Sequence, residues 1–140
     1  MVYKYFDHQA DIGIIGEGRD MNEAFQEAAR AMFNIMCNLK KVEKKKSINI
    51  TVKAKNAEEL LVEWLNELLA QINLKNMVFS AFDVYITKRF GRYILKGAAH
   101  GEKIDRQKHE LKTEVKAATY SQLGVVKTDD HYRCQCIIDV

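Results

Sequence analysis

Residues 56–74, NAEELLVEWLNELLAQINL, carry the clearest structural pattern in the chain. Their apolar side chains recur at steps of three and four, the spacing that places them on one side of an α-helix. This stripe consists of Leu60, Leu61, Trp64, Leu65, Leu68, Leu69 and Ile72. Asn56 followed by Glu59 is typical of a helix start, because the asparagine side chain can cap a free backbone amide. The pattern predicts a helix that ends near Leu74, with Trp64 in the core.

A second helix is predicted upstream, from Asp20 to about Asn38. Asp20 and Glu23 repeat the capping spacing, and apolar residues again follow at helical steps. They are Met21, Ala24, Phe25, Ala28, Met32, Ile35 and Met36. Short strands are predicted on either side of this helix, at residues 3–6, 11–16 and 48–54. The last of these alternates apolar and polar residues, which favours a half-buried strand.

Beyond residue 74 the pattern changes to that of strands. Residues 78–87 and 92–99 predict a hairpin that turns at Phe90 and Gly91. Residues 100–114 are polar and predict a long connection that can hold one turn of helix. Three more strands are predicted at 114–121, 123–128 and 131–138. In the last strand one face is predicted to carry Tyr132, Cys134, Cys136, Ile138 and Val140.

This order of elements predicts an α+β fold, with two helices packed on one face of a mostly antiparallel sheet. The length of 140 residues fits one domain, 1–140, and the content of 47% hydrophobic and 29% charged residues fits a soluble globular protein. The N-terminus lacks the apolar core of a signal peptide. The three cysteines match neither a zinc site nor a disulfide framework, so core positions in a cytoplasmic protein are expected.

The segment Asp7-His8-Gln9-Ala10-Asp11 places two carboxylates and an imidazole within five residues. If it is extended, Asp7, Gln9 and Asp11 share one face and His8 lies on the other. The two aspartates are then too far apart to bind one ion together, so at most one is a primary ligand. The alternative for both aspartates is a hydrogen bond to the local backbone in a turn.

Asp139 lies beside the α-carboxylate of Val140 at the other end of the sequence. If the last strand neighbours residues 11–15, Asp11, Asp139 and this carboxylate can converge. Three negative groups repel one another unless they are protonated or bridged by a cation, and oxygen ligands suit Ca²⁺, Mg²⁺ or Mn²⁺. From the residues alone, a solvated chain end remains the alternative for Asp139.

Several blocks of the sequence resemble the archease family, and together they span nearly the whole chain. DHQADIGI at residues 7–14 is similar to the family's DHTADIGI opening, with Gln9 in place of the usual threonine. Further similar blocks are EAF at 23–25, AARAMF at 28–33, LLVEWLNELL at 60–69, GE at 101–102, EVKAATY at 114–120 and IDV at 138–140. Ser121 stands where the family commonly has histidine.

The resemblance implies a cytoplasmic protein that is not itself an enzyme. It implies a metal-binding cofactor of the RtcB-type RNA-splicing ligase of tRNA processing, which promotes guanylylation and multiple turnover of that ligase. The implied ligands of the divalent ion, Ca²⁺ or else Mn²⁺ or Mg²⁺, are Asp11, Asp139 and Val140. Positions that support these ligands or contact the ligase are expected at Asp7, His8, His100 and Glu102.

Two other functions stay open on the sequence. One is an RNA-binding or chaperone-like module that acts on tRNA through the lysine-rich segment Lys40–Lys46. A solvated connecting loop is the interpretation that the segment itself favours. The other is a metal-dependent hydrolase, for which only His8 or His100 offers a base.

Overall fold

The computed structural model describes residues 1–8 and 10–140 and contains two long helices, one short helix and eight strands within that part of the chain. The elements are β1 Val2–His8, β2 Asp11–Gly18, α1 Met21–Met36, β3 Lys46–Ala54, α2 Ala57–Lys75, β4 Met77–Arg89, β5 Arg92–Lys103, α3 Arg106–His109, β6 Ala117–Ala118, β7 Gly124–Lys127 and β8 Tyr132–Asp139. A 3₁₀ turn spans Leu39–Lys41. The predicted α+β class is confirmed.

The strands form two antiparallel sheets where the sequence suggested one. The larger sheet has the order β1-β2-β8-β6, and β7 also pairs with β8. The smaller sheet has the order β3-β5-β4. Strand patterns predict the existence of each strand but not its partner, because pairing is decided by contacts between distant parts of the chain.

Both long helices contact both sheets. Helix α1 packs against β2 and β8 of the larger sheet and β4 of the smaller one, while α2 packs against β3 and β5 as well as β6. The core between them is centred on Trp64, which is fully buried and donates its indole N–H to the Phe25 carbonyl over 3.1 Å. Phe33 and Phe82 make further ring contacts there. The predicted core position of Trp64 is confirmed.

Both helices begin where the capping patterns predicted. The Asp20 carboxylate accepts from the Glu23 amide over 2.8 Å, and the Asn56 side-chain oxygen accepts from the Glu59 amide over 2.8 Å. Each bond satisfies an amide of the first helical turn that has no partner within the helix. The predicted hairpin turn at Phe90 and Gly91 is confirmed as well.

Helix α1 also protects one of the two edges of the smaller sheet, that of β4. The amides of Val84 and Ile86 on edge strand β4 donate to the side-chain oxygens of Gln26 (3.0 Å) and Asn22 (2.9 Å). A bare edge strand would present these amides to other chains. Side chains of the same chain therefore satisfy these two edge amides.

Strand β6 is much shorter than the predicted strand at 114–121. The backbone of Ala118 exchanges two hydrogen bonds with the Asn66 side chain, which accepts over 2.8 Å and donates over 3.2 Å. A side chain of α2 thus takes the place of a neighbouring strand. This brings the segment before β8 against the helix and positions the end of the larger sheet.

The cysteines are buried thiols, as expected from the sequence. Burial raises the pKa of Cys37 to about 11 and that of Cys136 to about 12, and it also raises the pKa of Cys134. These thiols are therefore protonated and unreactive near neutral pH. No helix in residues 1–8 and 10–140 is long and apolar enough to cross a membrane.

Candidate metal site at the end of the larger sheet

The register of β1 and β2 corrects the expected geometry of the opening segment. His8 at the end of β1 pairs directly with Asp11 at the start of β2, and Asp7 pairs with Ile12. Directly paired residues share a face of the sheet, whereas the next pair along faces the other way. The expectation that Asp7 shares a face with Asp11 and that His8 lies opposite is therefore wrong. The predicted orientation of Gln9 lies outside the described residues.

The strand pairing on which the predicted convergence depended is confirmed. Strand β8 lies beside β2, and Ile12 pairs with Ile138. One residue further along, this register places Asp11 opposite Asp139, at a typical Cβ separation of about 5 Å. Both side chains are half-buried. His8, Asp11 and Asp139 thus form one row across three neighbouring strands, on one face at the end of the larger sheet.

The backbone around Asp139 is held on its other side by residues 116–119. The Lys116 amide donates to the Asp139 carbonyl over 2.8 Å, and the Thr119 amide donates to the Ile137 carbonyl over 3.0 Å. Val140 follows directly and packs partly against the core. The end of the sequence is therefore an ordered part of this sheet rather than the solvated end that the sequence had left open.

The hairpin that carries His8 and Asp11 is anchored on both of its faces. The Tyr5 hydroxyl donates to the Ala31 carbonyl of α1 over 2.8 Å. On the other face the Phe6 ring covers Gly13, where an added Cβ would lie 2.2 Å from the ring. Glycine at this position allows the close approach of the ring. These contacts hold the row of His8 and Asp11 in place.

His8 carries an unpartnered polar atom. Its Nδ1 is buried and has no hydrogen-bond partner among the described residues. Buried polar atoms without a partner are rare in folded proteins and often indicate a bound water or ion. Because this imidazole lies in the same row as Asp11, the unpartnered nitrogen is consistent with a site that holds a cation or its water.

The donor set favours a hard cation. Within residues 1–8 and 10–140, no three His, Cys, Asp or Glu side chains are grouped closely enough to hold an ion by themselves. The pairing of β2 with β8 places two carboxylates, those of Asp11 and Asp139, at this end of the sheet. Oxygen donors of this kind suit Ca²⁺, Mg²⁺ or Mn²⁺. The donor type therefore fits such an ion, which would need further oxygen ligands beyond these two side chains.

His100 lies on β5 of the smaller sheet, away from the row of aspartates. Its Nδ1 is 2.6 Å from the Ser47 hydroxyl, and its Nε2 is 2.7 Å from a carboxylate oxygen of Asp83. Both ring nitrogens are thus occupied within the smaller sheet. The metal-dependent hydrolase hypothesis needs a base beside the bound ion, whereas His100 lies on the other sheet from Asp11 and Asp139.

Glu102 is buried in a cluster of its own, also at the end of β5. Its carboxylate accepts from the Glu43 amide (2.7 Å), from Lys108 (2.9 Å) and from the fully buried His109 (3.0 Å). The Glu43 amide, with smaller contributions from His109 and Lys108, lowers the pKa of Glu102 to about 2. The structure therefore brings neither His100 nor Glu102 into contact with Asp11 or Asp139.

The lysine-rich segment is partly neutralised. Lys45 lies 3.3 Å from a carboxylate oxygen of Glu43 and 3.6 Å from one of Glu102. Lys40 and Lys41 lie in the 3₁₀ turn and are exposed. This arrangement is typical of a solvated connection, one of the two interpretations that the sequence allowed.

One charged cluster was not predicted from the sequence. His131 has its Nδ1 2.7 Å from Asp130 and its Nε2 3.0 Å from Glu17. Asp130, and then Glu17, raise the pKa of His131. Glu17 lies at the far end of β2 from Asp11, so this cluster is separate from the candidate metal site. No local pattern joins residues 17 and 131, because their contact depends on the pairing of β2 with β8.

Fold and site together define a class: a small α+β protein whose larger sheet ends in an oxygen-rich candidate metal site. The chain matches the model of the Archease protein family over residues 3–140. It is 41% identical to the protein archease of Pyrococcus furiosus, over 99% of this chain and 98% of that one. It is 39% identical to the protein archease of Methanosarcina barkeri, over 99% and 95%.

A solved structure shares the same fold. The solution structure of protein 1598 from Methanobacterium thermoautotrophicum superposes with a TM-score of 0.88 at 33% identity, and the match covers 99% of this chain and 98% of that one. The chain belongs to the archease family. The resemblance seen in the sequence blocks is thereby confirmed.

Proposed function

We propose that the chain is a protein cofactor of an RtcB-type RNA-splicing ligase and that it presents a bound divalent cation to that enzyme. The observation that carries this proposal is the row formed by His8, Asp11 and Asp139 at the end of the larger sheet. Family membership supports it, because the ligase is the partner that the sequence resemblance implies. On this proposal the chain catalyses no step itself and serves tRNA splicing by promoting ligase guanylylation.

The ligands in this proposal are the carboxylates of Asp11 and Asp139 and the carboxyl group of Val140. Two aspartates on neighbouring strands repel each other, and this repulsion favours capture of a cation between them. When bound, Ca²⁺, Mn²⁺ or Mg²⁺ would neutralise negative charge near the GTP phosphates. His8, through its unpartnered Nδ1, would accept a hydrogen bond from a water molecule held at this end of the sheet.

The row lies at an end of the sheet and not in a cleft between the two sheets. Neighbouring positions on this end, Ala10 and Lys116, are exposed. A site placed there can reach into the active site of another protein. This placement suits a protein that acts on a partner.

A ligase guanylylation assay tests the proposal. Purified ligase is mixed with labelled GTP and a divalent cation, with and without the chain, and covalent labelling and the number of turnovers are measured. Asp11→Asn and Asp139→Asn keep the size of each side chain and remove its charge. We expect each substitution to lower the stimulation at least tenfold, because one of only three negative ligands is lost.

Asp129→Asn is the matched control, since Asp129 is exposed in the turn before β8 and makes no ion pair within the described residues. It should stimulate the ligase as the unsubstituted chain does. Unchanged stimulation by folded Asp11→Asn and Asp139→Asn would overturn the role of this site. If the unsubstituted chain also fails to stimulate, the ligase is not its partner.

A further inference from the structure

The smaller sheet has one face that neither helix covers. Alternate residues of β3, β5 and β4 point away from the core and are directly paired across the strands, so Thr51, Lys96 and Tyr85 form one row. All three are exposed. We call the set of outward residues on these three strands the outer face. It runs from Arg92 to His100 along the central strand, a length of roughly 27 Å at about 3.4 Å per residue.

The outer face is positively charged. It carries four exposed cationic side chains, Lys53, Arg89, Arg92 and Lys96, and one carboxylate, Asp83. The carboxylate is already paired, since its Oδ2 lies 2.7 Å from His100 Nε2. The four cations have no ion-pair partner within residues 1–8 and 10–140. The described residues therefore do not neutralise the positive charge of this face.

Two exposed aromatic rings accompany these charges. Tyr85 has 66% of its surface exposed and lies directly across from Lys96. Phe90 has 96% exposed at the tip of the hairpin, between Arg89 and the pair Gly91 and Arg92. Both rings are thus accessible to a ligand that combines negative charge with flat faces.

The backbone conformation at Phe90 is also unusual for a phenylalanine. Phe90 and Gly91 both have positive φ, 52° and 74°. Such a two-residue turn favours Asn-Gly, because asparagine adopts this conformation more readily than phenylalanine does. Phenylalanine at this position is thus unfavourable both for the turn and for exposure to water.

We propose that the outer face binds single-stranded nucleic acid. Proteins that hold single strands combine cations that follow the phosphates with aromatic rings on which bases stack, often on an open sheet. The exposed Asn49, Thr51 and Thr87 add hydrogen-bonding groups between the cations. The length of the face suits about four nucleotides, the smallest site that such proteins use.

An acidic protein is the other partner that the charge allows. The centre of a protein interface is usually apolar and depleted of charged residues. Here the centre of the face is Lys96, and its aliphatic members Ile94 and Ala98 are partly covered. A row of separated cations with two stacking rings therefore favours the polynucleotide.

The outer face belongs to the smaller sheet, and Asp11 and Asp139 belong to the larger one. The inference therefore does not depend on the proposed metal site or on the ligase. Binding is measured on the chain alone, by fluorescence anisotropy of labelled twelve-nucleotide U, A and dT strands at several salt concentrations. A twelve-base-pair duplex and a polyglutamate competitor are measured in parallel.

The first test removes charge. The double substitution Lys53→Ala and Lys96→Ala should weaken single-strand binding at least tenfold and reduce the slope of log Kd against log salt by about 1.4, or about 0.7 for each lysine. Lys40→Ala with Lys41→Ala is the matched control, because it removes the same charge from the exposed 3₁₀ turn. We expect the control to change the affinity less than twofold.

The second test removes the rings. Tyr85→Ser should weaken binding about fivefold or more, which corresponds to the loss of one stacked base. Tyr120→Ser is its control, since Tyr120 has 59% exposed but lies outside the outer face. Phe90→Asn should also weaken binding, while the melting temperature stays the same or rises because the new residue suits the turn.

Each outcome decides the inference. Weaker binding by the face variants with unaffected controls supports it, and the RNA and DNA arms then show which polymer is preferred. Equal losses in the face and control variants, a tighter complex with the duplex, or displacement by polyglutamate at equal charge overturns it. Absence of single-strand binding by the folded, unsubstituted chain at low salt overturns it as well.

Discussion

His131 shows how a single residue can tie distant parts of this chain together. Its imidazole bridges Asp130 and Glu17, which are 113 positions apart in the sequence, and Lys4 binds the same Glu17 over 2.7 Å. Asp130 and then Glu17 raise the pKa of His131. Lys4 and, to a smaller degree, His131 lower the pKa of Glu17. The cluster therefore joins β1, β2 and the turn before β8 by charge.

This cluster predicts a pH-dependent stability. A histidine whose folded pKa is raised stabilises the fold fully below its unfolded pKa of about 6.5 and loses that contribution as the pH rises through the folded value. Glu17 and Asp130 have lowered pKa values, so their contributions are lost only as the pH falls below the ordinary carboxyl range. The cluster should stabilise most between about pH 4.5 and 6.5.

Melting temperatures of the unsubstituted chain and of His131→Gln, measured from pH 5 to pH 9, check this prediction. The difference between the two should be largest near pH 5.5 and should shrink steadily above pH 7. A difference that stays constant across this range would show that His131 contributes only neutral hydrogen bonds.

Residue-scale patterns predicted the helix starts but not the faces of the opening segment. Asp20 and Asn56 act through bonds to residues three positions away, so the sequence contains all the information needed. The orientation of Asp7 and His8 depends on the pairing of His8 with Asp11, which reverses the chain direction between β1 and β2. Such a reversal changes which residues share a face of the sheet. The pattern of apolar and polar residues in this segment does not predict that change.

At the scale of elements, the contact between β2 and α1 depends on the absence of a side chain. A Cβ added at Gly16 would lie 2.2 Å from the Ala24 carbonyl oxygen and 2.6 Å from the Ala28 amide nitrogen. Both atoms belong to the helix backbone, which cannot move aside as a flexible side chain would. The strand and the helix can approach this closely only with glycine at residue 16.

Gly16→Ala should therefore lower the free energy of unfolding by about 1–3 kcal/mol through overpacking. Urea denaturation measures the change. Gly124→Ala is the control, because nothing lies within 4 Å of the Cβ it would add, and its effect should stay within about 0.5 kcal/mol. Equal stability of the two variants would mean that α1 shifts away from β2 without cost.

Element patterns predicted both helices and the long hairpin, and they failed where a side chain replaced a strand. Asn66 bonds both backbone groups of Ala118, and the predicted strand at 114–121 is reduced to two residues.

Ile137 on β8 is buried although it lies on the face opposite Cys136 and Ile138. It pairs with Gly13, which lies beneath the Phe6 ring, so the cover on this face comes from β1.

At the scale of the whole molecule, the division of the strands into two sheets separates the two proposed surfaces. The larger sheet joins the first two strands of the chain to the last one, and thereby brings Asp11 beside Asp139. The smaller sheet is built from the middle of the chain and presents the outer face. The residues of the candidate metal site could be named from the sequence. Their proximity depends on the pairing of β2 with β8, which the sequence pattern does not determine.

The joining of the two chain ends predicts that a bound cation stabilises the entire fold. A ligand that binds only the folded state adds about 2.7 kcal/mol at a concentration of 100 times its Kd. We expect Ca²⁺ or Mn²⁺ to raise the melting temperature of the unsubstituted chain by several degrees. Asp11→Asn and Asp139→Asn should abolish this rise, while Asp129→Asn should retain it.

The metal-dependent rise in melting temperature also tests whether the carboxyl group of Val140 is a ligand. Extension of the chain by two glycines beyond Val140 converts that carboxylate to an amide and removes one negative charge from the site, while β8 and its pairing with β2 remain. The extended chain should keep its melting temperature without metal and lose at least half of the metal-dependent rise. If it responds to Ca²⁺ and Mn²⁺ as fully as the unextended chain, the third oxygen comes from another group, and Val140 is not a ligand.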